Sequence, residues 1–137
     1  MVHIGNAAFG QLQTDIYGEI LDALHCARKQ GLLPPAAGWQ VEAQLTERVE
    51  KIWNLPDHGI WEARHLPENF THSKVMAWVA VDRAIRAAEA HRLPWSIERW
   101  RQLRAVIHAE VCANGFDRDL GAFVASYRSR VPDASTC

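Results

Sequence analysis

The run Val75-Met76-Ala77-Trp78-Val79-Ala80-Val81 constrains this chain more than any other, because it leaves a helix almost no polar side until Asp82. A helix that is apolar all round must be enclosed by other elements. Ala84, Ala87 and Ala88 continue the segment with the small side chains that close helix packing requires, and Leu93-Pro94 breaks it. The pattern predicts a buried helix over Ser73 to His91. The rest of the chain must supply its partners.

Three such partners can be read from the spacing of apolar residues. A helix from about Thr14 to Gln30 carries Ile16, Tyr17, Ile20, Leu21 and Leu24 at helical intervals, and Gly31 is placed to end it. Another, from about Ala37 to Asn54, has a narrow stripe of Val41, Leu45, Val49, Ile52 and Trp53. Its other side, with Glu42, Gln44, Glu47, Arg48, Glu50 and Lys51, is expected to be wet. The last starts after Ser96, a candidate N-cap, and lines up Ile97, Trp100, Leu103, Ile107 and Val111 before Asn114-Gly115 stops it. Phe116 to Val124, with Asp119-Leu120-Gly121 in the middle, predicts a short hairpin. The expected fold is all-α: four helices as two α-hairpins, with a short β-hairpin near the C-terminus.

Between the second and third helices lies a stretch of different character, PDHGIWEARHLPENF. Pro56, Gly59 and Pro67 break it, and Asp57, His58, Glu62, Arg64, His65, Glu68 and His72 crowd it and its exit with titratable groups. A loop of roughly 16 residues in a compact domain is more often functional than not. It also has a plain reading as a solvated connector anchored by Trp61. His58, His65 and His72 fall seven residues apart, but a loop gives that interval no ligand geometry. No metal site and no cofactor is predicted.

Charge narrows the function classes. With 15 basic and 16 acidic residues the chain shows no electrostatic footprint for nucleic acid or an anionic membrane surface. No apolar run reaches membrane-spanning length, and MVHIGNAAFG lacks the pattern of a signal peptide. A cytoplasmic location is expected. Cys26, Cys112 and Cys137 are odd in number and lack metal-ligand spacing, so free thiols are expected. The six Trp residues suit sugar-stacking surfaces, although core filling accounts for most of them.

The blocks Gly59-Ile60-Trp61-Glu62 and Phe70-Thr71-His72-Ser73-Lys74-Val75-Met76-Ala77-Trp78 resemble the central segment of bacterial glycoside hydrolase family 15. That family holds glucoamylase-like enzymes and trehalases. Gln11-Leu12-Gln13-Thr14-Asp15-Ile16-Tyr17-Gly18-Glu19 is similar to its pocket-lining helix start, and Ile107-His108-Ala109-Glu110-Val111, Gly115-Phe116-Asp117 and Ser126-Tyr127 follow in family order. The resemblance implies that residues 1–137 form a single partial catalytic domain, about a third of an (α/α)6 barrel. It implies an inverting hydrolase of α-glucosidic bonds, acting on trehalose or a maltooligosaccharide.

Inversion needs two carboxyl groups roughly 6.5–9.5 Å apart, one to protonate the leaving oxygen and one to activate water. The acid must keep its proton near neutral pH, and an indole beside it favours the neutral form. The resemblance places the general acid at Glu62, beside Trp61. Trp61 would stack on or hydrogen-bond the sugar, the Ile60 carbonyl would face the pocket, and Arg64 would orient Glu62 or a hydroxyl. Asp15, Gln11 and Gln13 read equally well as hydroxyl ligands or as an N-terminal capping cluster. His72 and Lys74 are placed to line the pocket floor, and Ser73 is as well explained as a helix cap.

No residue after Tyr127 resembles the family's general base, and Arg128-Ser129-Arg130-Val131-Pro132 departs from its pattern. Ala63 stands where fungal relatives carry a second carboxylate, which puts the acceptor side of the pocket in doubt. The chain alone is therefore not expected to be catalytically competent. The alternative is a non-catalytic helical module that binds sugar or self-associates through exposed apolar helix faces.

Overall fold

The computed structural model describes residues 11–32, 36–59 and 66–133. Its elements are α1 (Asp15–Lys29), α2 (Ala36–Ile52), α3 (Thr71–His91), α4 (Ile97–Asn114), β1 (Phe116–Asp117) and β2 (Ala122–Phe123). The strands pair antiparallel, with Phe116 opposite Phe123 and Asp117 opposite Ala122. Four helices and a small hairpin are what the apolar spacing predicts. Among the described residues no helix is long and apolar enough to cross a membrane.

Helix α3 is the hub, packed most extensively on α1 and α4 and also touching α2. Ala77, Ala80, Val81, Ala84 and Ile85 from α3 meet Leu21 of α1, Val49 of α2, and Trp100, Ile107 and Val111 of α4 in one buried cluster. Each of the larger side chains gains roughly 1.5–3 kcal/mol by leaving water. The alanines gain less, but they let the neighbours approach. Helix α1 meets α3 at Gly18, where the absence of a side chain admits the Met76 backbone. Helix α3 ends at Arg92, in the left-handed conformation at φ 52°, and the Arg92 and Leu93 amides both donate to the Ala88 carbonyl.

Two polar clusters tie the helices together. Asp82, 1 % exposed, accepts hydrogen bonds from Arg83, Arg86 and Arg104, each at 2.7 Å. Arg83 also reaches Asp22 of α1 at 2.6 Å. Burial would raise the Asp82 pKa, but the hydrogen bonds and charges of Arg86 and Arg104 outweigh it and hold the carboxyl below its ordinary range. The other cluster corrects an expectation. Glu42, expected on the wet side of α2, is buried and paired with Arg28, whose guanidinium lies 3.8 Å over the Trp39 ring. An aromatic face and a counter-charge from α1 make that burial tolerable.

The aromatic residues mostly fill space. Trp95 packs edge-on against both Trp39 and Trp100, and His91 lies against Trp39. Trp53 and Trp78 are partly buried against the core. Not every apolar side chain is covered: Ile16 and Val41 of the α1 and α2 stripes are 48 % and 52 % exposed, and Val106 of α4 is 54 % exposed. Cys26 and Cys112 are free and exposed.

Candidate active site

The polar loop between α2 and α3 is held at its base. The Asp57 and Glu68 backbones exchange two hydrogen bonds, both 2.9 Å, so the two limbs meet as a short antiparallel bridge. Leaving the bridge, Asp57 Oδ1 accepts the Gly59 amide at 3.2 Å, the turn that an Asp favours two residues ahead of itself. Gly59 has φ 63°, and a side chain there would press on the Phe70 ring. The segment that follows, containing Ile60, Trp61, Glu62 and Arg64, lies outside the described residues.

Asp57 does more than turn the chain. Its Oδ2 accepts the Thr14 amide at 3.1 Å, just ahead of α1, and its Oδ1 also accepts the Ser73 hydroxyl at 3.1 Å. The His58 amide donates to the Leu12 carbonyl at 3.0 Å. The returning limb is strapped by the segment after the hairpin, with Thr71 N–H to Ala125 O, Tyr127 N–H to Asn69 O, and the Ser126 hydroxyl to Glu68 Oε2 at 2.7 Å. Segments 11–15, 57–59, 68–74 and 124–127 thus converge at one end of the helices.

Lys74 supports this end from inside. Its ammonium, 1 % exposed, donates to the carbonyls of Trp53 at 2.8 Å and Leu55 at 2.6 Å, closing the C-terminus of α2. Burial lowers its pKa, against the opposing charges of Asp57 and Glu110. Tyr127 is pushed the other way: burial, and then the charge of Glu110, raise the phenol's pKa. A small cleft runs between Pro56, Pro67, Glu68, Asn69, Tyr127 and Arg128.

The electrostatics of this end are strained. Asp15 is 8 % exposed, and its pKa is raised by burial and by the nearby Asp57 charge, against opposition from its own backbone amide and His72. Its Oδ1 has no hydrogen-bond partner among the described residues, and neither do Gln11 Oε1, His58 Nδ1 or His72 Nε2. Of the ten buried side-chain atoms in that condition among the described residues, eight belong to Gln11, Thr14, Asp15, His58, Asn69, Thr71, His72 and Tyr127, all on the converging segments. Each costs about 1–3 kcal/mol if nothing fills it.

Of the residues singled out from sequence, Asp15, Gln11, Gln13, His72 and Lys74 are brought to this end. Gln13 is half-buried there. Ser73 is not a cap: α3 starts two residues earlier, and the Ser73 hydroxyl is spent on Asp57. The Ser96 side chain also makes no capping bond. Sequence reasoning missed the roles of Asp57 and Glu68. The signal for Asp57 was present in Pro56-Asp57-His58-Gly59, an Asp two residues before a Gly; no local signal predicts Glu68 with Ser126.

The family model for glycosyl hydrolases family 15 matches residues 1–137. The chain is 40% identical over 134 residues to a trehalase of Thermoplasma volcanium, covering 98% of this chain and 22% of that protein. It is also 40% identical to a Mycobacterium tuberculosis trehalase (98% and 20% covered) and 34% identical to trehalase 2 of Sulfolobus acidocaldarius (98% and 23% covered). The chain therefore spans about a fifth of the length of the curated relatives it matches. No solved structure matches it. With its whole length matched, the chain belongs to glycosyl hydrolases family 15.

Proposed function

We propose that this chain forms the acid-bearing part of an inverting trehalose hydrolase, with Glu62 as the proton donor to the leaving oxygen. One observation carries the reading: the buried polar atoms without a partner among the described residues gather where the limb leading to Trp61 and Glu62 is anchored. Sugar hydroxyls are donors and acceptors at once, and they suit a wall of unpaired amide, carboxylate and imidazole atoms. Asp15, Gln11, Gln13 and His72 take hydroxyls in this reading. In the same reading Trp61 would stack on a ring, the Ile60 carbonyl would face the pocket and Arg64 would orient the acid. Lys74 acts from beneath, because two of its three protons already hold the chain that leaves α2, at Trp53 and Leu55.

Trehalose is favoured over maltooligosaccharides because the curated relatives carry the name trehalase. The carboxylate that activates water is not among the residues assigned here. One carboxyl cannot protonate the leaving group and activate water in the same step, so the 137-residue chain alone is expected to release little or no glucose. A cytoplasmic location belongs to the same reading and rests on the exposed thiols of Cys26 and Cys112.

The test is Glu62→Gln in a preparation that hydrolyses trehalose. Loss of the proton donor is expected to lower kcat by roughly 10²–10⁴-fold. Undiminished glucose release removes Glu62 from the mechanism.

A second reading, a module that associates through its helix faces, draws on Ile16, Val41 and Val106, which are large, apolar and about half exposed. Sedimentation of the chain distinguishes it: concentration-dependent association lost in Ile16→Ser supports that role, and a monomer at all concentrations removes it.

A further inference from the structure

We propose that Asp57 is a positioning residue for the proton-donating limb, fixing the base of that limb at Gly59 relative to the start of α1. The proposal deepens the functional reading and rests on Glu62 being the acid. Asp57 is fully buried at 0 % exposure, and a carboxylate survives there only if its oxygens are hydrogen-bonded. Its donors come from three separate places: the Thr14 amide, the Gly59 amide and the Ser73 hydroxyl.

Each donor fixes a different part. Thr14 immediately precedes Asp15, so the Oδ2 bond sets where the α1 start lies relative to the loop. Gly59 directs the outgoing limb, and Glu62 follows three residues later. Ser73 ties both to the central helix α3, whose burial makes it the rigid reference. Lys74 is near enough for its charge to act on Asp57, but its hydrogen bonds go to the Trp53 and Leu55 carbonyls just after α2. Asp57 therefore spans the distance between the sugar-binding side and the acid-bearing limb. A displacement of about 1 Å there is enough to cost about 100-fold in rate.

An amide of the same shape separates this role from simple space filling. In Asp57→Asn, one oxygen can still accept from Gly59 and Ser73. The NH2 group then faces the Thr14 amide, donor against donor, and the tie to α1 is lost.

Two measurements test the proposal. In this chain, Asp57→Asn is expected to speed hydrogen exchange at the Thr14 amide at least about tenfold, while the Gly59 amide and the Ile107 amide in α4 keep their rates. Unchanged exchange at Thr14 overturns the proposal. In a form that hydrolyses trehalose, the variants Asp57→Asn, Ser73→Ala and Glu62→Gln are compared on trehalose and on α-glucosyl fluoride. Fluoride leaves without being protonated, so a fault in proton donation spares it.

Asp57→Asn is expected to lower kcat on trehalose about 100-fold with KM within about threefold, and to leave turnover of the fluoride within about fivefold. Ser73→Ala shows the same split, about tenfold on trehalose, and decides the matter if the Asn variant does not fold. Equal losses on both substrates, or a change in KM alone, overturn the positioning role. A split from Asp57→Asn without one from Glu62→Gln assigns the acid to another residue on that limb and fails the Glu62 reading separately.

Discussion

A Cβ placed on Gly18 of α1 would sit 2.3 Å from the carbonyl oxygen of Met76 on α3. The obstructing atom is backbone in the middle of the buried helix, so it cannot rotate away. Position 18 is thereby reserved for glycine, even though glycine is a poor helix former. Gly18→Ala gains up to about 1 kcal/mol of helix propensity and loses more by forcing the helices apart, for a net destabilisation of about 2 kcal/mol. Urea unfolding followed by circular dichroism measures it, and a more stable variant shows that α1 and α3 do not meet as described.

Asp82 is the second place where a single substitution separates readings. Asp82→Asn leaves three arginines facing a neutral amide and is expected to destabilise the fold by about 3 kcal/mol at neutral pH. Because the folded-state pKa of Asp82 lies below its ordinary value, its contribution is complete above that value and is lost as the pH falls through the folded-state pKa. The gap between wild type and Asp82→Asn should therefore close as the pH is lowered below about 3.9. A gap that persists in acid shows that the carboxylate charge is not what holds the cluster.

Asp15 has the opposite sign. Burial and the Asp57 charge raise its folded-state pKa, so the native state binds more protons than the unfolded chain and loses stability as the pH rises through that range. Asp15→Asn removes the penalty. It should raise Tm at pH 7, have no such effect below about pH 3.9, and impair trehalose binding if Asp15 holds a hydroxyl. A variant no more stable than wild type at neutral pH argues that the carboxylate is satisfied by groups its hydrogen-bond geometry does not include.

Lys74→Met keeps the volume of the buried side chain and removes the donors to the Trp53 and Leu55 carbonyls. Two stranded acceptors outweigh the relief of burying no charge, and a loss of about 2 kcal/mol is expected in thermal or urea unfolding. The wild-type ammonium also fixes the chain just before Pro56, so the substitution should accelerate exchange of the Asp57 amide more than that of Val111. Equal protection at both sites in the variant removes Lys74 from the support of the loop.

The helices were legible because each declares itself within one turn or two. The uninterrupted apolar run after Lys74 predicted the central helix, and the stripe through Trp100, Ile107 and Val111 predicted the buried side of α4. What a stripe does not say is which polar residue a neighbour will rescue. Glu42 looked wet until Arg28 and Trp39, distant in sequence, came to cover it. Ile16 and Val41 sat in the apolar stripes of α1 and α2, yet about half of each stays exposed among the described residues.

The candidate site divides the same way. Asp15, Gln11, Gln13 and His72 were found by residue type and by resemblance, and the fold gathers them at one end. Asp57 was counted only as one charged residue among many, because two of its three donors come from residues 43 and 16 positions away. Ile60, Trp61, Glu62 and Arg64 were legible from resemblance alone, and they lie outside the described residues.

The reach of those bonds has a kinetic consequence. Each helix forms from contacts within a few residues, whereas the α1–α3 contact at Gly18 and Met76, the Asp57 tie to Thr14 and the Glu68 tie to Ser126 all need distant segments brought together. The loop base is therefore complete only once α1, α3 and the segment after the hairpin have met. A chain whose helices are intact by circular dichroism can still lack these ties, and exchange protection of the Thr14 amide then returns after the helix signal on refolding.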